Sequence, residues 1–137
     1  MLRSSVLAWL RLYRIVQKID RAQSVHLRSW GINTAQFDVL THVGAHSGIT
    51  QQELADSLLV TKGNISQLLD RLEKLDLLKR CQEKRNNILV LTQKGRELYE
   101  RITPVIEKLI EEKLAILSAS ETADLLRLAR KLDQALR

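Results

Sequence analysis

The sequence predicts a mainly α-helical fold that carries one small β-hairpin. Three observations predict it. Apolar residues recur at spacings of three and four through most of the chain, and helix-start signatures of the Ser/Thr/Asn-x-x-Glu/Gln kind stand at Asn33, Thr50 and Ser118. The 137 residues include one proline and five glycines, which argues for few loops. Strand-prone residues gather only at 77–81 and 88–92, on either side of the polar run 82–87.

The elements follow in order. Residues 3–28 place Val6, Leu10, Tyr13, Val16 and Ile19 on one helical stripe, and Leu2, Leu7, Trp9, Leu12 and Ile15 widen it around most of the circumference. A helix so broadly apolar needs partners on several sides, and in a chain this short the spare partner is expected to be another subunit. Gly31 ends it. Asn33 and Gln36 open a helix of roughly 34–46 with Phe37, Leu40 and Val43 inward, weakened by Gly44, and Gly48 is the expected stop. Thr50 and Glu53 open a short helix with Leu54, Ala55 and Leu58 on its core face. Leu59 and Val60 make a turn, and Thr61 caps a helix of about 61–75 that buries Ile65, Leu68, Leu69, Leu72 and Leu75. The hairpin follows. Thr92 then caps a long helix to about Leu117, in which Pro104 is expected to kink but not break the apolar phase. The last helix, after Ser118, carries Leu125, Leu128, Leu132 and Leu136.

Composition narrows the function. At 45% apolar and 28% charged residues the chain is ordinary globular material. Aromatic content of 4% leaves no ladder of rings for stacking single-stranded nucleic acid or RNA. There is no run of apolar residues to span a membrane and no signal-peptide pattern, and the single cysteine fits a reducing cytoplasm. The net charge of +6 is uneven: residues 79–96 hold six basic residues against one acidic, directly behind the helix of 61–75. That is where phosphate contacts are wanted.

Two short helices joined by a tight turn, then a basic hairpin, make a winged helix-turn-helix. In such a module the first helix braces the second, whose outward residues meet base edges in the major groove. Those residues are Thr61, Lys62, Gly63, Asn64, Ser66, Gln67, Asp70 and Arg71. Asn64 and Gln67 suit bidentate bonding to adenine, and Lys62 or Arg71 reaches phosphate or guanine. Thr61, Gly63 and Ser66 are small enough to let the backbone approach the duplex. Ordinary surface helices favour Glu, Lys and Arg, so weak helix formers here point to selection for contact. Lys84, Arg85, Asn86 and Asn87 form the hairpin tip, where an arginine is suited to a narrow minor groove.

The segment ITQQELADSLLVTKGNISQLLDRLEKLDLLKR, the Glu83-Lys84-Arg85 wing, Leu91-Thr92-x-x-Gly95, Gln36-Phe37-x-Val39-Leu40 and Leu117-Ser118-x-x-Glu121 together resemble the MarR family of bacterial winged-helix regulators. The resemblance covers essentially the whole chain. It implies a cytoplasmic homodimer with interdigitating terminal helices, a pseudo-palindromic operator in double-stranded DNA, and transcriptional repression relieved by a small molecule, an oxidant or a metal. The expected organisation is an N-terminal dimerisation helix in 1–32, the DNA-binding domain in 33–96 and C-terminal dimerisation helices in 97–137. By position Arg85 matches the family's wing arginine, and Glu83 stands where an aspartate orients it. Asp76 replaces a glycine after the recognition helix, and aspartate tolerates the left-handed conformation, so local strain is expected and not a changed fold.

The resemblance also implies an effector, aromatic or anionic, between the dimerisation helices and the winged helix. Tyr13, His26, Trp30, Phe37 and His42 lie in the segments that would line such a crevice, with Trp9 nearby, although plain core or dimer packing is the favoured role for each. His42 and His46 sit at helical spacing, with Asp38 one turn before, but no further ligand completes a metal site. Cys81 is expected to be buried and structural, not an exposed redox thiol. No catalytic grouping or phosphate-cradling glycine loop supports an enzyme, and no cofactor is expected. The alternatives left open are a redox- or metal-sensing repressor of the same fold and a winged-helix protein-interaction module without DNA binding.

Overall fold

Side-chain caps set where the helices begin. The computed structural model describes residues 1–58 and 62–137, and the side chains of all of these except 62 and 63. Helix α1 spans Ser4–Arg28 and α2 spans Thr34–Ala45. The start of α2 is a full capping box: Gln36 N donates to Asn33 Oδ1 at 2.8 Å and Asn33 N donates to Gln36 Oε1 at 2.9 Å. Helix α3, Gln51–Ser57, has the same device in Thr50 and Glu53, with bonds of 3.0 and 3.2 Å. Helix α4 runs Lys62–Lys74. The expected turn at Leu59 and Val60 and the cap at Thr61 lie outside the described residues. Thr92 caps α5, Gln93–Lys113, by accepting from Gly95 N at 3.0 Å, and a Ser118–Glu121 box opens α6, Ala119–Ala135.

Pro104 lies inside an unbroken α5, but that helix ends at Lys113, short of the expected Leu117. Its C-cap is Leu114 (φ −98°, ψ 3°), and turn residues lead from there to Ser118, which is extended (φ −69°, ψ 167°) and caps α6.

Among the described residues three strands, β1 (Ile49–Thr50), β2 (Leu78–Glu83) and β3 (Asn86–Leu91), form an antiparallel sheet in the order β1-β3-β2. The sequence shows no sign of β1, whose two residues double as the entry to α3. The hairpin is also longer than its apolar residues imply. Its register pairs Leu78 with Leu91 and runs on to Glu83 with Asn86, leaving only Lys84 and Arg85 in the turn. Lys84 adopts φ 57°, the positive angle a two-residue hairpin turn demands. Polar residues extend this ribbon because neither of its faces is covered there, so no apolar alternation marks them.

The core lies among α2, α3, α4, the sheet and the first half of α5. Val39, Leu40, Val43, Leu54, Ile65, Leu69, Leu72, Leu89 and Ile102 are all buried. Leu27 is the sole buried residue of α1, and α6 has none. Leu2, Val6, Leu7, Trp9, Leu10, Tyr13 and Val16 of the N-terminal segment are exposed, as are Leu125, Leu126, Leu128, Leu132 and Leu136. No helix among the described residues is long and apolar enough to cross a membrane.

Two glycines allow α5 to approach its neighbours. A Cβ on Gly44 would stand 2.8 Å from the Tyr99 ring, which explains a glycine that helix propensity disfavours. A Cβ on Gly95 would stand 1.9 Å from the Leu77 carbonyl oxygen. The two clashes differ in kind, because a ring can turn aside and a backbone carbonyl cannot. Gly95→Ala is therefore expected to destabilise the fold by about 3 kcal/mol in urea unfolding. Gly44→Ala should cost no more than about 1 kcal/mol, its helix-propensity gain offsetting much of the crowding. Equal losses at the two positions would contradict this account of the α5 contacts.

Candidate nucleic-acid interface

Helix α4 has one buried face and one exposed face. Ile65, Leu69 and Leu72 point into the core, while Asn64, Gln67, Asp70 and Arg71 are exposed and Ser66 is half-buried. The residues expected to read DNA thus share the outer side of the helix, as far as they are described. Thr61 and the side chains of Lys62 and Gly63 fall outside the described residues. Helix α4 ends in Lys74, and Asp76 follows in the left-handed conformation, φ 59°. That geometry is held from α5: Thr92 Oγ1 donates to Asp76 O at 2.6 Å and Lys94 Nζ donates to Leu75 O at 3.1 Å. A cation at these last carbonyls also complements the helix dipole.

Lys84, Arg85, Asn86 and Asn87 are exposed at the tip of the β2–β3 ribbon. Arg85, Asn86 and Asn87 line a cleft of about 240 Å³ together with Ile65 of α4 and Thr50, Gln51, Gln52 and Ala55 at the start of α3. The fold therefore brings the wing tip beside the recognition helix. It also adds residues that sequence reasoning missed, Gln51 and Gln52. Gln51 Oε1 is a buried oxygen with no hydrogen-bond partner among the described residues. The only signal for them was their place in the first turn of α3. The expected orientation of Arg85 by Glu83 is not formed, since no ion pair joins them among the described residues.

Arg80, which the sequence marks only as one of the basic residues of 79–96, links the wing to α4. Its Nε donates to Glu73 Oε1 at 2.7 Å and its Nη2 donates to Asp70 Oδ1. Burial acts to lower the pKa of its guanidinium, but the hydrogen bonds to Glu73 and Asp70, with their charges, outweigh it and hold the pKa above the ordinary arginine value.

The residues expected around an effector do not line one crevice within the chain. Trp30 lines a cavity of about 310 Å³ with Gly31, Ile32, Leu75, Leu77, Lys94, Glu97, Leu98 and Arg101. Phe37 lines another, of about 420 Å³, with Asp20, Gln23, Thr34, Asp38, Ile106 and Ile110. Tyr13 and His26 are exposed on α1, and the Tyr13 ring meets Trp9 in a tilted arrangement, with centroids 5.9 Å apart and planes at 54°. His42 faces Asp38 at 3.4 Å. His46 leaves the helix at its C-cap, φ −129°, so the two histidines do not continue one helical face. Among the described residues no group of three or more His, Cys, Asp or Glu could hold a metal ion.

Cys81 corrects an expectation. It is exposed, because strand alternation puts Leu78 and Arg80 on the inner side of β2 and Lys79 and Cys81 on the outer.

A helix-turn-helix with its recognition face outward and a basic two-stranded wing beside it defines a winged-helix DNA-binding protein. Known proteins agree. A model of the MarR family matches residues 30–86. An uncharacterized HTH-type transcriptional regulator of Bacillus cereus is 38% identical over 98 residues, which are 72% of this chain and 67% of the relative. A mutant MarR of Escherichia coli, complexed with operator DNA, is 30% identical and superposes with a TM-score of 0.84 over 96% of this chain and 98% of its own. The MepR–DNA complex of Staphylococcus aureus, at 24% identity and a TM-score of 0.82 over 92% and 94%, shares the fold. The chain belongs to the MarR family of transcriptional regulators.

The Cys81 finding has a direct check. Native protein is expected to react with one equivalent of a thiol reagent within minutes, at the rate of a free thiol; reaction only after denaturant is added would restore the buried reading.

Proposed function

We propose that the chain is a homodimeric, sequence-specific repressor that grips a pseudo-palindromic operator and is released by a small molecule. One observation carries the reading: Asn64, Gln67 and Arg71 are exposed on the helix whose Ile65 shares a cleft with the wing-tip residues Arg85 and Asn86. By sequence position, Thr61, Lys62, Gly63 and Ser66 belong to the same proposed base-reading set. Asn64 and Gln67 suit adenine edges, Arg71 suits phosphate or guanine, and Arg85 enters the adjoining minor groove. Residues 33–96 form the DNA-binding domain of this reading, and it acts in the cytoplasm, on double-stranded DNA.

The terminal helices, in 1–32 and 97–137, form the dimer. Their exposed leucines support this, and so does the area. The chain exposes 10315 Å², whereas a folded monomer of its 15.7 kDa is expected to expose about 7,300 Å². The excess, about 3,000 Å² per chain and so about 6,000 Å² for a pair, lies at the upper end of what obligate dimers bury. Two-fold symmetry then sets the recognition helices about 34 Å apart, one DNA turn.

The cavity beside Trp30 is the better placed effector site. Lys94 and Arg101 outnumber Glu97 on its wall, and its apolar side is Trp30, Ile32, Leu75, Leu77 and Leu98, a combination suited to an aromatic anion. It touches the Leu75–Leu77 turn, so an occupant that draws Lys94 from the Leu75 carbonyl would disturb the end of α4. The Phe37 crevice carries Asp20 and Asp38 and suits an anion less well.

Gel shifts with DNA flanking the chain's own gene test the reading, and the absence of any sequence-dependent complex at moderate salt would favour a protein-interaction module instead. Arg85→Ala is expected to weaken the complex and to reduce the salt slope by about one unit, as one phosphate-side cation is lost. Gln67→Ala should lose discrimination at one operator position, by about 1–3 kcal/mol. Uniform weakening across all sequences would reassign Gln67 to the DNA backbone.

A further inference from the structure

Among the described residues, the outgoing strand of the wing has one ion-paired attachment to the recognition helix beyond its buried root at Leu78. Leu78 is buried in the core and Arg80 is one-fifth exposed, but every residue from Cys81 to Asn87 is exposed. Arg80 is therefore the last side chain of β2 held against the protein before the tip. Its guanidinium spans two carboxylates on α4, Asp70 and Glu73, three residues apart and so on one side of the helix. Neither carboxylate has another ion-pair partner among the described residues.

The lever from this attachment to the tip is long. Five residue steps lead from Arg80 to Arg85, at most about 17 Å at 3.3 Å per residue. A tilt of roughly 10° at Arg80 would carry the tip about 3 Å, half the width of a minor groove of about 6 Å. A side chain that must enter that groove depends on the aim of the strand. The paired β3 strand does not fix the aim alone, because a two-stranded ribbon twists and tilts as a unit.

We propose that Arg80 is the positioning residue of the DNA-reading surface: by clasping Asp70 and Glu73 it fixes the aim of the wing relative to α4, so that Arg85 contributes to DNA binding only while the clasp is intact. The inference rests on the reading of Arg85 as a DNA contact. A planar guanidinium with Nε and Nη donors spans two acceptors at once, and a lysine ammonium does not fix an orientation in the same way. Arg80 itself needs no contact with DNA, and Asp70 and Glu73 act through it.

A double-mutant cycle tests this, using a duplex that the wild-type protein selects from a random-sequence pool. Arg85→Ala is expected to cost tenfold or more in affinity in the wild-type background, but less than twofold when combined with Arg80→Gln. The pair Asp70→Asn with Glu73→Gln keeps Arg80 and removes its charged acceptors, so it too should abolish the effect of Arg85→Ala. It decides the matter if Arg80→Gln fails to fold. Arg80→Lys should restore the Arg85 effect only in part. A purely structural Arg80 would lower the melting temperature and leave the Arg85→Ala loss the same in every background, which would overturn the inference while leaving the wing contact standing. No loss from Arg85→Ala in the wild-type background would overturn both.

Discussion

Burial of one face of α4 is the constraint on which the remainder depends. Ile65, Leu69 and Leu72 follow one another at four and three residues, and all three are buried against α2 and the sheet. Each is worth about 2 kcal/mol relative to exposure. On the opposite side Asn64 and Ser66 are poor helix formers, costing a few tenths of a kcal/mol apiece. The core term wins, so the helix forms despite its outer face. Its rotation is fixed as well, because a turn of one residue would expose a leucine and bury Asn64 or Asp70. Presentation of a polar row on the outer face, where the proposed reading puts DNA, is thus a consequence of where the leucines go.

The far end of α4 is set by α5. The left-handed Asp76, the Thr92 hydroxyl on its carbonyl, Lys94 on the Leu75 carbonyl and the close approach of Gly95 to Leu77 form one joint. It connects the helix that meets DNA in the proposed reading with the helix that would carry the dimer interface. A ligand beside Trp30 would press on this joint and on nothing closer to the DNA. In the proposed reading, release by a ligand would be mechanical coupling through a short turn, with α4 and α5 as its two arms.

Much of the fold was legible because its signals are local. The capping residues at 33, 50, 92 and 118 depend on hydrogen bonds spanning three residues, and each stands where the sequence puts it. The outward set on α4 follows from periodicity alone. What escaped was set by contacts distant in sequence. β1 exists only because Ile49 and Thr50 meet Leu89 and Ile88. The ribbon extends through polar residues that no core marks. Cys81 looked like a packing residue by its type, but strand parity turns it outward. Arg80 read as one more basic residue, and its carboxylate partners lie seven and ten positions away in another element. Gly44 looked like a flaw in a helix until the Tyr99 ring filled the space beside it.

Hydroxyl-radical footprinting of the protein on its selected duplex tests the central claim most directly, that a rotationally fixed α4 and an adjoining wing read DNA in two symmetry-related copies. The account predicts two equivalent protected segments with centres about one helical turn, roughly 34 Å, apart, each flanked by minor-groove protection that Arg85→Ala removes. A single protected segment, or protection unchanged by loss of the wing arginine, would contradict it.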